Sequence, residues 1–268
     1  MQDSEMRHLW QVANEMADAA RAAILPFFRG AALGTENKQS GGFDPVTLAD
    51  RAAEQAMRDV LARARPEDGI LGEEFGHDAG SSGLTWVLDP IDGTRDFIRG
   101  RTGWAVSVAL VSSGRSLIAA LEAPAREESW RATAGRGATL NGEALATSRR
   151  EQLDGARVPA NDLAKDDRGF TKVEQPNGIA LRAAMVAAGQ ADLLATMRWG
   201  YEWDIAAATL IAREAGASVS DIFGQPLGYN KRDPRSFGLL VCAPTLREPA
   251  IEHFGPRARE LLAQSKAR

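Results

Sequence analysis

The segment DPIDGT places Asp89 and Asp92 three positions apart, directly after the apolar run LTWVL. Pro90 fixes its own φ, so we expect the chain to turn there and bring Asp92 beside Asp89. Two carboxylates held that close repel each other, and a divalent cation between them removes the repulsion. Asp-Gly is also an ordinary turn dipeptide, so the segment alone predicts either a metal site or a plain turn.

The residues that follow Asp92 could bind an anion. Gly93 and Thr94 are predicted to open a helix. The first backbone amides of a helix have no partner within it and attract negative charge. A phosphate group bound there would lie next to the predicted metal, so one turn could serve both.

Three further segments carry acidic residues that could complete such a site. Thr47 and Asp50 stand at a predicted helix start, where Thr47 is typical of a capping box. Glu73 and Glu74 follow a predicted strand and are also consistent with a plain surface turn. Asp204 opens an Ala-rich helix, where a helix cap is the alternative.

Composition excludes several classes of function. A formal net charge of −4 on 268 residues provides no general attraction for a nucleic acid polymer. The single cysteine, Cys242, permits no intramolecular disulfide, and the chain shows neither a signal peptide pattern nor a membrane-length apolar run. We therefore expect a cytoplasmic protein with no membrane partner. The three histidines are scattered without ligand spacing, so a metal would be held by oxygen ligands.

Apolar spacing predicts how these segments are positioned. Helical periodicity covers residues 4–28, 46–61, 179–188, 203–215 and 246–263, and strand-like runs include 69–72, 84–89, 104–111, 116–121, 128–133, 193–196, 218–222 and 239–242. Strands dominate the first half, whereas helices and short strands alternate in the second. This pattern predicts an α+β half over residues 1–146, which contains most of the acidic segments described above, and an α/β half over residues 147–268, which contains Asp204.

Taken together, four segments resemble the signatures of the inositol monophosphatase family, whose members are Mg²⁺-dependent, lithium-sensitive phosphatases. The matching segments are DPVTLAD (44–50), GEE (72–74), WVLDPIDGT (86–94) and WDIAAATLIAREAG (203–216). The resemblance covers nearly the whole chain. It implies a layered αβαβα sandwich, a small phosphorylated metabolite as substrate, and a homodimer.

The resemblance also implies roles for individual residues. The first metal would be held by Glu73, Asp89 and the Ile91 carbonyl, and the second by Asp89, Asp92 and Asp204, with two or three Mg²⁺ ions per site. Glu73 would help to hold the attacking water, and Thr94 and Asp50, the latter through Thr47, would orient or deprotonate it. The amides of Gly93 and Thr94 would hold the phosphate, and Asp204 would also contact the substrate. Most of the metal ligands would then lie in residues 1–146, and Asp204 and the substrate-selecting residues in residues 147–268. Mg²⁺ can lower the pKa of bound water and neutralise phosphoryl oxygens, so water can attack the phosphorus directly.

The alcohol portion of the substrate stays open. Inositol-specific members carry a glutamate upstream of the Trp-Asp pair, where this chain has MRWG (197–200). Segments 102–110, 202–207 and 224–231 look most like bacterial 3′(2′),5′-bisphosphate nucleotidases. Arg95 could bind a second negative group on the substrate or simply pair with its neighbours.

Inositol monophosphate, adenosine 3′,5′-bisphosphate and histidinol phosphate are therefore the candidate substrates. A catalytically silent binding or regulatory protein on the same fold is the alternative from another class. The complete set of acidic residues favours the enzyme.

Overall fold

The computed structural model describes residues 3–29, 35–37 and 45–266. The helices of this part are α1 (Asp3–Ile24), α2 (Leu48–Ala64), α3 (Thr94–Ile98), α4 (Ile179–Ala187), α5 (Glu202–Glu214) and α6 (Arg247–Lys266). The five long helices confirm the five that the apolar spacing predicts, with ends that differ by only a few residues. Asp44 and the side chain of Thr47 lie outside the described residues.

The described strands, in chain order, are β1 (Thr35–Asn37), β2 (Pro45–Thr47), β3 (Gly69–Gly72), β4 (Gly76–Asp78), β5 (Leu84–Asp92), β6 (Ala105–Ser112), β7 (Arg115–Ala123), β8 (Glu128–Thr133), β9 (Ala138–Leu140), β10 (Glu143–Ala144), β11 (Arg157–Pro159), β12 (Thr171–Val173), β13 (Leu193–Tyr201), β14 (Ser218–Ser220) and β15 (Arg235–Cys242). The large sheet has the order β10-β9-β8-β7-β6-β5-β3-β4, and the small sheet has the order β13-β15-β14. In the large sheet only β3 and β5 pair in parallel.

These elements stack in five layers. Helices α1 and α2 cover one face of the large sheet, and α5 covers the other face together with its neighbour α4. The small sheet contacts α4 and α5, and α6 packs against β13 and β15. The predicted αβαβα order is therefore confirmed. The boundary between residues 146 and 147 stays a prediction.

Helix α5 can lie at the centre because it is apolar on all sides. Ala206, Ala207, Ala208 and Ala212 have no exposed surface, and their small side chains allow both sheets to approach closely. By contrast, α1 buries a single stripe that includes Leu9, as expected for a helix in an outer layer. None of the described helices has the length and apolar character needed to cross a bilayer.

Candidate metal and phosphate site

A β-bulge in β5 turns Asp89 and Asp92 toward the same layer. Asp89 pairs with Ser107 and Asp92 with Ala105, so three steps on β5 face two steps on β6. Without that extra residue, side chains three positions apart would point to opposite faces of the sheet. We predicted that the strand ends at Asp89 and turns at Pro90. The strand instead continues to Asp92, and the bulge brings about the change of direction.

Strand alternation aims Asp89 at the central helix layer. Trp86 and Leu88 belong to the core beneath α1 and α2, whereas Val87 belongs to the core around α4 and α5. Asp89 shares the parity of Val87, so its carboxylate faces the layer that carries Asp204. Asp89 is only 1% exposed, and its Oδ1 accepts a hydrogen bond from the Ile91 amide at 2.9 Å.

The carboxylate of Asp92 binds the start of α4. It accepts hydrogen bonds from the amides of Ile179 at 3.1 Å and Ala180 at 2.7 Å. These amides belong to the first turn of the helix, which has no partners for them of its own. The contact spans the two sequence halves and fixes α4 against the end of β5.

Asp204 reaches the same region from α5. Its carboxylate accepts the Tyr201 amide at 3.4 Å, as part of a capping box at the start of the helix. The alternative of Asp204 as the N-cap is therefore wrong, because Tyr201 is the N-cap and Asp204 is the N3 residue of the capping box. The hydrogen bond uses Oδ2 of Asp204 and leaves Oδ1 for further ligands. On the neighbouring β6, Ser107 donates to the Trp203 carbonyl at 3.1 Å, which ties the beginning of α5 to the large sheet.

Glu73 follows β3, the parallel neighbour of β5. The turn is supported from beneath by Glu54 of α2, which is fully buried and accepts hydrogen bonds from the amides of Glu74 and Phe75. Gly72 is required there, because a Cβ would lie 2.0 Å from a Glu54 carboxylate oxygen. The acidic pair is thus more than a surface turn, and Glu54 is a supporting residue that sequence reasoning missed.

Electrostatics shows that these carboxylates share one environment. Burial raises the pKa of Asp89 well above its usual value, and the negative charges of Glu73, Asp92, Asp204 and Asp50 raise it further. Burial likewise raises the pKa of Asp204, with further increases from Asp92 and Glu73. The pKa of Asp92 rises to about 6, mainly through burial, although the Ala180 and Ile179 amides oppose the shift.

The donor set fits Mg²⁺ in kind. It consists of carboxylate and carbonyl oxygens, which are the ligands this cation prefers, and its mutual repulsion is what a divalent cation would relieve. Within residues 3–29, 35–37 and 45–266, no three His, Cys, Asp or Glu side chains are yet gathered as a metal-binding group. Backbone amides engage one oxygen each of Asp89 and Asp204 but both oxygens of Asp92, so Asp92 is the side chain that would have to rotate to share an ion.

The predicted phosphate-binding turn is a single helical turn. Gly93 has φ +97°, and a Cβ there would lie 2.6 Å from the Gly103 carbonyl oxygen, so only glycine fits. The Thr94 hydroxyl donates to the Ile91 carbonyl at 3.0 Å, which links two residues of the predicted site. Helix α3 begins at Thr94 as predicted, but it ends already at Ile98.

The remaining predicted residues lie around this centre. Asp50 is in the first turn of α2 and is 2% exposed. Its negative charge makes a small contribution to the raised pKa of Asp89. Arg95 is exposed in α3. Cys242 is buried in β15, and burial raises the pKa of its thiol to about 12, as suits a structural residue.

Sequence reasoning did not assign two arginines near the site. Arg182 lies one turn along α4 from Ile179 and donates to the carbonyls of Pro176 and Asn177. Arg198 lies in β13, and its charge partly opposes the rise in the pKa of Asp204 that burial causes. Arg182 has no sequence signal of its own. Arg198 belongs to the MRWG segment that the sequence analysis singles out, but its place beside Asp204 depends on the pairing of distant strands.

Comparisons with known proteins identify relatives of this chain. The sequence profile of the Inositol monophosphatase family matches residues 5–257. The chain is similar to a histidinol-phosphatase of Mycobacterium tuberculosis (35% identity over 225 residues, covering 78% of this chain and 86% of that protein). It is also similar to the Nus factor SuhB of Pseudomonas aeruginosa (39% over 203 residues, covering 68% and 73%).

Among solved structures, an inositol monophosphatase from Zymomonas mobilis superposes with a TM-score of 0.78 at 30% identity, covering 95% of this chain and all of that one. The same layered fold therefore extends over nearly the whole chain. On the combined evidence of profile, relatives and fold, the chain belongs to the inositol monophosphatase family.

Proposed function

We propose that this chain is a Mg²⁺-dependent phosphomonoesterase that hydrolyses a small phosphate ester by direct attack of water. The observation that carries the proposal is the convergence of acidic residues from three separate segments. The Glu73 amide donates to the Leu88 carbonyl at 3.3 Å, which places Glu73 beside the residue that precedes Asp89. The negative charges of Glu73, Asp92 and Asp204 add to the burial that raises the pKa of Asp89. Without a cation such a cluster is unfavourable, so its presence supports a metal-binding function.

Glu73, Asp89 and the Ile91 carbonyl would hold one ion, and Asp89, Asp92 and Asp204 a second, with Asp89 shared. When bound, Mg²⁺ supplies Lewis-acid neutralisation of the phosphoryl oxygens and lowers the pKa of water. The Gly93 and Thr94 amides would bind the phosphate at the start of α3. The Thr94 hydroxyl donates to the Ile91 carbonyl, so its oxygen lone pairs can accept a hydrogen bond from the attacking water and orient it.

The substrate would be inositol monophosphate or adenosine 3′,5′-bisphosphate, with histidinol phosphate as the alternative. The relatives named histidinol-phosphatase support that alternative. We further propose that lithium inhibits this protein and that it is a homodimer in the cytoplasm. We also propose that it has neither a membrane nor a nucleic acid polymer as a partner. The last point rests on the net charge of −4.

A regulatory role without turnover is the second candidate, favoured by the relatives named Nus factor SuhB. The two candidates differ in what the carboxylates do. An enzyme needs them to hold Mg²⁺ during phosphate release, whereas a binding protein would tolerate their neutralisation.

Phosphate release from the three substrates, with Mg²⁺ and with a chelator, tests the proposal. We expect release from at least one substrate, loss with the chelator and recovery when Mg²⁺ is restored. Asp89→Asn should abolish release, while the matched variant Asp59→Asn, on the exposed face of α2, should retain it. Absence of release from all three esters by folded protein with Mg²⁺ would contradict the proposal and favour the regulatory role.

A further inference from the structure

A second β-bulge lies beside the site, in the small sheet. Thr196 pairs with Leu239 and Trp199 with Phe237, so three steps on β13 face two steps on β15. Met197 and Arg198 lie between these two pairs, and together they face a single residue of β15, Gly238. Bulges redirect side chains, and this one occurs where β13 approaches Asp204.

Neighbouring residues hold this bulge in place. Opposite it, Gly238 has φ +76°, and a Cβ there would lie 2.5 Å from Ile222 Cγ2 and 2.9 Å from the Thr196 carbonyl oxygen. On the other side, the Trp199 ring packs edge-on against Phe237, and its Nε1 donates to Ser265 at 3.1 Å. The backbone is therefore held in place on both sides of Arg198.

Arg198 shares a groove with Asp204, one of the proposed metal ligands. The groove is lined by Ile179, Thr196, Arg198, Trp199, Gly200, Asp204, Ile205, Ser236, Gly238 and Leu239. Through its amide, Ile179 also holds Asp92. Arg198 thus faces the same space as Asp204 and the residue that binds Asp92, and its charge lowers the pKa of Asp204 and of Arg182.

The guanidinium of Arg198 has no hydrogen bond or ion pair within 4 Å to any other residue that the structure describes. Other arginines on this side are engaged: Arg235 pairs with Asp233 at 2.9 Å, and Arg257 pairs with Asp167 at 2.8 Å. Arg182 donates to backbone carbonyls. Arg198 is therefore the cation in the groove whose five donors remain available for a ligand.

We propose that Arg198 binds a second anionic group, a phosphate or a carboxylate, on the alcohol portion of the substrate. This inference rests on the proposed phosphatase function and narrows its substrate class. A guanidinium matches the planar, two-oxygen geometry of such anions better than it matches a neutral hydroxyl. The surrounding acidic residues would otherwise repel a doubly anionic ester, so a cation at the groove offsets that repulsion.

The test compares matched pairs of esters that differ in one anion. Adenosine 3′,5′-bisphosphate is compared with adenosine 3′-monophosphate, and 3-phosphoglycerate with glycerol 3-phosphate, so the pairs separate a second phosphate from a carboxylate. For at least one pair, we expect wild-type kcat/KM to favour the ester with the second anion. Arg198→Ala should lower that kcat/KM by about 10- to 100-fold and change the other ester by less than about threefold. The kcat/KM of Arg198→Lys for the ester with the second anion should lie between those of wild type and Arg198→Ala.

Binding of the product gives a readout independent of turnover. Adenosine 5′-monophosphate keeps the second anion. In titration calorimetry with Mg²⁺ and inorganic phosphate present, Arg198→Ala should bind this product at least about tenfold more weakly than wild type does. If the preferred pair is the phosphoglycerate pair, glycerate replaces the nucleotide. Arg235→Ala, which removes a paired arginine of the same sheet, serves as the control and should bind like wild type.

Several outcomes would overturn the inference while leaving the phosphatase function intact. These are an equal loss for both esters of each pair, no wild-type preference in either pair, or a selective loss in Arg95→Ala instead of Arg198→Ala. An equal loss accompanied by a changed Mg²⁺ requirement would mean that Arg198 only balances the charge of Asp204. No phosphate release from any ester by wild type would overturn both proposals.

Discussion

The two bulges beside the site differ in their surroundings. In the large sheet, the bulge of β5 lies in a strand whose nine residues are all buried, and it presents Asp89 and Asp92. In the small sheet, the bulge of β13 lies in an edge strand, and it presents the exposed Arg198. Both add one residue to a strand and redirect side chains toward the same region.

This difference separates two tasks. The proposed metal ligands need a rigid backbone in a dry environment, which β5 obtains from neighbouring strands and from helices on both faces. A residue that selects the substrate can lie at an edge, where the chain can change without disturbing the core. We infer that the first bulge provides catalysis and the second provides specificity.

The largest expected effect is a loss of catalysis when a carboxylate at the β5 bulge is neutralised. Asp92→Asn should reduce Mg²⁺-dependent phosphate release by on the order of 1000-fold or more, because a metal ion contributes several kcal/mol to this chemistry. Mg²⁺ should raise the melting temperature of wild type more than that of the variant, which keeps the proposed ligands of the first ion only. Retained activity with a normal Mg²⁺ response would remove Asp92 from the site.

The same carboxylate gives a pH-dependent prediction. Its folded pKa of about 6 exceeds the unfolded value, so the folded state binds more protons between these values and stability falls as pH rises. Without Mg²⁺, wild type should therefore lose up to about 3 kcal/mol relative to Asp92→Asn between pH 4 and pH 8. Urea unfolding of both proteins measures this difference. A stability difference that does not change with pH would show that Asp92 is not perturbed.

Glycine substitutions should separate the two bulges. Gly93→Ala meets backbone atoms that cannot move aside and should cost about 3 kcal/mol and most activity on every ester. Gly238→Ala meets mainly the Ile222 side chain and should cost about 2 kcal/mol, with selective loss of the preference for a second anion.

Two further glycines serve as controls in urea unfolding. Gly83→Ala has positive φ but open space and should cost only about 1 kcal/mol, and Gly228→Ala should change little. The assignment of separate tasks would be wrong if Gly238→Ala and Gly93→Ala had the same effect on all esters.

Much of the fold and the acidic site could be predicted from the sequence because their signals are local. Helix spacing in α1 and α5 and the DPIDGT segment required no knowledge of distant contacts. The bulge in β5 was not predicted, since a proline after a strand is equally typical of a turn. The role of Glu54 depends on a contact over a long sequence distance, so local patterns give no sign of it. The MRWG segment marks the region of Arg198, but the bulge that presents Arg198 depends on strand pairing that local patterns do not show.

The central claim is that Glu73, Asp89, Asp92 and Asp204 form a divalent cation site. Anomalous diffraction from crystals soaked with Mn²⁺ tests it most directly, because the ion is located without reference to activity. We predict anomalous peaks at about 2.2 Å from carboxylate oxygens of these residues, with Asp92 rotated away from the Ile179 and Ala180 amides. Peaks elsewhere only, or none with the four carboxylates in their present positions, would contradict the account.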